Sequence, residues 1–368
     1  MRRKISPPDH IDKDLFLKFR SPRRGMGNPE VTTNPVWVWT IEQKLDAYRA
    51  NQAFDGPPSK EAGPGWSFFR YGRTETTLPD GRVIKIGGEY EDYYDPDFYI
   101  YNDVIVTDAA GHTEVFGYTE DAFPPTDFHT ADLVDDRIVV IGNLSYPPVR
   151  KDKVQVLTLD TASYRIERLE PAGESPPWLY KHVSERVDNG RAILVRGGEF
   201  ALVQTHSLVE NIDDWRLDLE TCRWERLTDR AWPRFAFARA DGKENHLYDL
   251  GNLAWARMSK RPDRFADARA ERLRDLGPEP RLDLLDILYV PVVPHTALPE
   301  QKEDFRVHRV AVEGIVVRYV ESGYDIVMTV EGVLPAQTIA RLCADLQEKL
   351  AAIENTRIDC VPVTAALP

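Results

Sequence analysis

Between residues 66 and 256 short apolar runs alternate with turn-forming residues, and four of these runs end on a glycine. They are "DGRVIKIGG" (80–88), "DDRIVVIGN" (135–143), "DNGRAILVRGG" (188–198) and "DGKENHLYDLGN" (241–252). Their first glycines, Gly87, Gly142, Gly197 and Gly251, are spaced by 55, 55 and 54 residues. Each run is short for a helix, is generally rich in β-branched residues and follows an Asp-led turn, which predicts the second strand of a hairpin. The strands before the turns are read in "FRYGRTETTL", "TDFHTADLV", "LYKHVSERV" and "PRFAFARA". Proline-rich connectors precede the last three and mark the passage from one unit to the next. After the glycines, "DVIVTDAAGHTEVFGY", "VQVLTLDTASYRIERL" and "DDWRLDLETCRWERL" each supply a third and fourth strand. The alternation in "NPVWVWTIEQKLDAY" (34–48) predicts a further outer strand pair.

A period near 55 residues, a double-glycine end to the second strand and a Tyr or Trp in the fourth resemble the kelch repeat. The resemblance implies a mainly β fold, a kelch-like β-propeller of four to five blades over residues 34–256. In it Gly87, Gly88, Gly142, Gly197, Gly198 and Gly251 would be the structural repeat positions. A basic arm (1–33) precedes this region. Beyond it, residues 257–368 read as a small α+β domain. "PDRFADARAERLRDLG" reads as helical. "LLDILYVPVV" and "FRVHRVAVEGIVVRYVESGYDIVMTVEG" read as strands, and "TRIDCVPV" as a last one. "PAQTIARLCADLQEKLAAI" reads as an amphipathic helix with Ile339, Leu342, Cys343, Leu346 and Leu350 on one face.

Charge narrows the partner. A net charge of −13 argues against nucleic acid or an anionic membrane, both of which need a concentrated positive surface, and suits a basic protein. The first 25 residues run the other way, with eight Lys or Arg against three Asp. The chain has no apolar run of the length a membrane helix needs, and its three cysteines, Cys222, Cys343 and Cys360, lack any paired spacing. The expectation is a cytoplasmic protein with neither disulfide framework nor zinc site.

Candidate chemistry concentrates in "GGEYEDYYDPDFYIYND" (87–103), which holds six carboxylates and six aromatic rings. As a calcium loop it lacks the central glycine and closing glutamate of a helix-flanked site. As a docking surface, Tyr90, Glu91, Asp92, Tyr93, Tyr94, Asp95, Asp97 and Tyr99 would give a partner rigid aromatic area and a basic-selective rim. The bland alternative is that half the rings pack inward. His129 and His182 sit at matching places before two glycine ends, with Arg73 near the third, and read as structural hydrogen-bonding residues rather than a metal cluster. Nucleophile and phosphate-loop motifs are absent. The kelch resemblance would admit a copper-radical centre, but Cys222 falls in an outer turn unsuited to it. No catalytic residue, cofactor or metal is therefore expected. The expected function is non-enzymatic protein binding by one loop face. Its rivals are an immunity protein neutralising a basic toxin, and an enzyme or binder acting on a sugar-like ligand at the channel.

Overall fold

The computed structural model describes residues 5–58, 61, 63–91, 95–201, 208–259, 266–298 and 306–363. Strand residues outnumber helical ones, and the chain divides into two compact units, 1–203 with 209–229, and 204–208 with 230–368.

The first unit contains three antiparallel four-stranded meanders. The first sheet is Thr74–Thr77, Val83–Ile86, Asp103–Thr107 and Thr113–Gly117, extended at its outer edge by Glu30–Thr32. The second is Thr130–Val134, Arg137–Ile141, Val156–Asp160 and Ile166–Leu169. The third is Val183–Val187, Ala192–Arg196, Trp215–Asp218 and Arg223–Arg226, with Ala172–Gly173 added in parallel at its outer edge.

Alternation along each strand decides what each face meets. Ile138 and Val140 join Ile84, Ile86, Val104 and Val106 in a core between the first and second sheets. Their neighbours Val139 and Ile141 join Ile193, Val195, Trp215 and Leu217 between the second and third. On the far side of the first sheet Ile105 and Val115 pack under Trp37, Trp39 and Phe54. These aromatics come from and just beyond the segment predicted as an outer strand pair. That segment is instead the helix Pro35–Glu42, followed by Ala47–Ala53. Asn34 caps the first of these, its Oδ1 accepting from the N–H groups of Val36 and Trp37 at 3.0 and 3.2 Å, with Pro35 in the first turn. Because five of its eight residues are buried, the Val-Trp alternation carried no strand information.

The first glycines of two repeats, Gly87 and Gly142, are needed for close approach to the next connector. Gly87 has φ 57° and Gly142 φ 74°, and an added Cβ would lie 2.1 Å from the Thr126 carbonyl oxygen at the first and 2.3 Å from that of Leu179 at the second. Each glycine thus lets its sheet touch the connector that leads to the next. At Gly197 an added Cβ would meet nothing within 4 Å. The array of this unit ends there.

Gly251 corrects the sequence expectation. It lies inside the helix Leu247–Ser259, not at the end of a strand, so the fourth repeat does not make a fourth sheet. Its run lacks the Val and Ile of the other three, and Asn245 Oδ1 accepts from Leu247 N–H at 3.2 Å to start a helix. The strand before it, Arg234–Arg239, does form, but between Asp325–Val330 and Ile358–Pro362 of the second unit. Arg239 Nη1 donates to Glu354 Oε2 at 2.8 Å, and His246 N–H donates to Oε1 of the same wholly buried carboxylate at 2.8 Å. Residues 230–256 therefore belong with the C-terminal unit. Among the described residues no closed ring of sheets is found.

The second unit is one antiparallel sheet of six strands in the order Thr296–Ala297, Val307–Val312, Ile315–Glu321, Asp325–Val330, Arg234–Arg239, Ile358–Pro362. The helix Ala336–Glu354 covers it with Leu342, Leu346, Leu350 and Ile353. The expected strand in "LLDILYVPVV" (284–293) does not form: its first four residues end the 3-10 helix Leu282–Ile287, whose Leu282, Leu284 and Leu285 pack on that core together. A strand would have turned alternate leucines away from it.

Candidate functional site

The loops between second and third strands and the connectors between sheets meet on one face of the first unit. Gly88 N–H donates to the Thr126 carbonyl at 2.8 Å, Leu144 N–H to that of Asp127 at 3.2 Å, and Thr126 N–H to that of Tyr101 at 3.1 Å. The acidic segment is braced from its neighbour: Ile100 N–H donates to the Tyr146 hydroxyl at 2.8 Å, and Tyr146 meets Phe98 edge-on.

The segment's two ends are packed. Tyr90 is 6% exposed within the core beneath the N-terminal helices, so it is no surface anchor, and Asp97 is 5% exposed. Tyr99 is half-buried under the Arg24 guanidinium, 4.5 Å from its ring centre. Glu91 is exposed. Asp92, Tyr93, Tyr94 and the Asp95 side chain lie outside the described residues. Arg24 also donates to Ile100 and Asn102 oxygens at 2.9 and 3.1 Å. Arg20 is buried and donates to the Gly63 carbonyl at 2.7 Å. The basic stretch is thus docked on the first sheet's side of the unit and not a solvated tail from Ile5 onward.

Sequence reasoning missed what lies behind the acidic segment. Asp127 is fully buried in the connector before the second sheet. Its Oδ1 accepts from Ser145 N–H at 2.7 Å, and its side chain also shares a hydrogen bond with that of Glu89. The half-buried Glu89 carboxyl stands against it. Burial, reinforced by the Asp127 and Glu91 charges, pushes the Glu89 carboxyl up to about 8. Burial raises Asp127 as well, against the Ser145 hydrogen bond and the Arg150 charge. One proton on Glu89, donated to Asp127, satisfies both groups.

Around the pair, Lys181 Nζ lies 3.6 Å from Glu199 Oε2 and 5.4 and 5.5 Å from the ring centres of Phe128 and Tyr180. The Tyr180 hydroxyl donates to Glu199 Oε2 at 2.5 Å. Arg150 donates to the Leu144 and Ser145 carbonyls at 2.9 and 3.2 Å and so holds the loop that presents the Ser145 N–H. The signal was in the repeat. "GGE" occurs at 87–89 and 197–199, and Asp127 and Tyr180 each stand two residues before a repeat histidine.

Those histidines are structural in their contacts. His129 Nε2 meets Thr74 Oγ1 at 2.7 Å and His182 Nε2 meets Thr130 Oγ1 at 2.9 Å, each tying one sheet's first strand to the next. Burial lowers His129 to about 3 and His182 to about 4. The register places Val183, paired with Arg196, where Thr74 pairs with Ile86 and Thr130 with Ile141. Val183 is 66% exposed and offers no hydroxyl, so the ladder stops at the third sheet. Among the described residues no group of three or more His, Cys, Asp or Glu could hold a metal ion. Cys222 sits in an outer turn, with φ 49°. A groove of about 1030 Å³ runs below the hairpin turns of the second and third sheets, along Asp135, Arg137, Glu185 and Arg191, away from the paired carboxyls.

No family model and no curated protein matches this chain. Among solved structures, that of YjhT is similar with a TM-score of 0.33 and 17% identity, over 44% of this chain and 53% of that one. The match thus spans about half the length of YjhT, and a likeness this slight bears on neither fold nor function. No described helix is long and apolar enough to cross a membrane.

Proposed function

We propose that the protein is a non-enzymatic protein-binding module whose recognition surface is the loop face of the first unit, and that its partner is basic. The observation that carries this is the braced acidic segment. Its ends are fixed by Tyr90, Ile100 and Tyr101 in the core and by Tyr146 from the neighbouring loop, so its anchor points are set before a partner arrives. Anchor points fixed in advance lower the entropy cost of binding, and carboxylates steer and select a cationic partner. We further read the three sheets as kelch-type blades. The equal spacing of Gly87, Gly142 and Gly197 and the repeated His–Thr contacts support that relation. A cytoplasmic setting is part of the proposal, in keeping with three cysteines that are free thiols. Neutralisation of a basic toxin is the special case in which the partner is itself an enzyme.

The test is affinity capture from the native host, with salt elution and identification by mass spectrometry. Replacing Tyr93 and Tyr94 with Ala should weaken the captured complex by about 1–4 kcal/mol, the range of buried aromatic anchors. Thermal unfolding should stay nearly unchanged. Binding as tight as wild type would remove the loop from the interface.

A further inference from the structure

The groove between the second and third sheets has a counterpart between the first and second that the protein fills from within. In that first gap Arg82 Nη1 donates to the Tyr164 hydroxyl at 2.7 Å and to the Thr161 carbonyl at 2.6 Å, and the Tyr164 ring centre lies 4.5 Å from that of Phe116. The repeat puts smaller residues at both places in the second gap. Phe116 pairs with Val104 and Leu169 with Val156, which pair in turn with Ile86 and Ile141, the residues before the two repeat glycines. Leu169 therefore stands where Phe116 does. Tyr164 and Cys222 each lie four residues after an aspartate whose Oδ1 caps the turn, accepting from Ser163 N–H at 2.6 Å in Asp160 and from Thr221 N–H at 2.8 Å in Asp218. Their φ angles are 56° and 49°, so Cys222 stands where Tyr164 does. Arg137, five residues before Gly142 as Arg82 is before Gly87, lines the groove, and its one ion pair among the described residues is with Asp136 at 3.7 Å. The donor of the first gap is kept in the second, and both rings are replaced by a space of about 1030 Å³.

We propose that this groove binds a small phenolic amine, its ring against Leu169 and Cys222 and its hydroxyl accepting from Arg137. The ring is called for by the apolar wall of Val139, Leu169 and Leu219, which in the first gap would be covered by Tyr164 and Phe116. The hydroxyl repeats the Arg82–Tyr164 bond. The amine follows from charge, because five carboxylates against three guanidinium groups line the groove, which favours a cationic tail and repels an anionic one. The groove opens beside the hairpin turns and not on the loop face, so the proposal does not depend on the protein-binding reading.

The experiment uses Cys222 as a reporter in the whole protein. Its alkylation by iodoacetamide is followed by peptide mass spectrometry, with Cys343 and Cys360 of the second unit as internal references. The probes are tyramine, phenethylamine, which lacks the hydroxyl, and 4-hydroxyphenylacetate, which carries a carboxylate in place of the amine. Tyramine should slow the reaction of Cys222 alone, at concentrations roughly tenfold lower than phenethylamine requires, as a hydrogen bond to a charged donor implies. 4-Hydroxyphenylacetate should give no protection. Arg137→Met keeps the apolar stem of a largely exposed side chain and should erase the tenfold advantage of tyramine. Cys222→Tyr restores the ring of the first gap and, at a φ that Tyr164 already adopts, should fold and lose tyramine binding in ligand-observed NMR. Absence of protection by tyramine, equal protection by phenethylamine or 4-hydroxyphenylacetate, or an unchanged preference in Arg137→Met overturns the site. Tyramine still bound to folded Cys222→Tyr overturns it equally, and if that variant does not fold, Arg137→Met decides.

Discussion

Replacing Asp103 with Ala should destabilise the first unit by about 3–5 kcal/mol, the usual cost of removing one member of a buried ion pair. Asp103 begins the third strand of the first sheet and is paired with Arg70 through both carboxylate oxygens. The two side chains are 7% and 1% exposed. Arg70 also donates to the Ser67 and Gly87 carbonyls at 2.7 and 3.0 Å, and its guanidinium lies 3.5 Å from the Tyr101 ring centre and 4.9 Å from that of Trp66. Trp66 Nε1 donates to Asp103 Oδ2 at 2.9 Å. Loss of the carboxylate therefore leaves a buried cation without its counter-charge and a buried indole N–H without its acceptor. Asp103→Asn keeps one acceptor oxygen and should cost less. Urea unfolding followed by tryptophan fluorescence measures both, because Trp66 stacks on Trp37 beside the cluster. A midpoint for Asp103→Ala within error of wild type would show that water reaches Arg70 and that the pair is not buried.

Acid should unfold the first unit through its histidine ladder. In the unfolded chain His129 and His182 take up protons near their ordinary value of about 6.5. In the fold, burial lowers them to about 3 and about 4. The unfolded state binds more protons between these limits, so stability falls as pH drops from about 6.5 toward 4, by up to about 1.4 kcal/mol per pH unit for each ring. Glu89 acts with the opposite sign. Its folded value is raised, so the native state holds the extra proton and stability declines as pH rises from the ordinary carboxylate range toward 8. The two windows overlap, and because two rings outweigh one carboxyl below about 6.5, melting temperature should peak near pH 6.5. His182→Gln should flatten the acid limb alone, and Glu89→Gln the alkaline limb alone. An acid limb that survives replacement of both histidines would assign it to other groups.

How much of the fold is readable from sequence depends on how local each determinant is. The three hairpins were legible because a turn, β-branched residues and a glycine of positive φ all lie within about a dozen positions. The helix Ala336–Glu354 and the strands between residues 307 and 330 were legible for the same reason, since period alone marks them. The fourth repeat misled because its turn and glycine match the others. Its strand goes elsewhere because of Glu354, 115 residues away from Arg239. The Val-Trp alternation of Pro35–Glu42 misled because a segment buried on most sides has no polar face to betray its period. The carboxyl pair was hidden differently. Glu89 looked like one more charge in an acidic loop, and only the contact between one sheet and the next connector brings Asp127 against it.

Recognition on the loop face is open to a single decisive experiment, hydrogen exchange of the protein with and without its captured partner, because backbone amides of every segment are read at once. Exchange should slow on complex formation in residues 89–101 and 144–150, with the hairpin turns at 135–137 and 188–191 unchanged. Protection confined to those turns, or to the second unit, with the loop face exchanging as in the isolated protein, would contradict a partner site there.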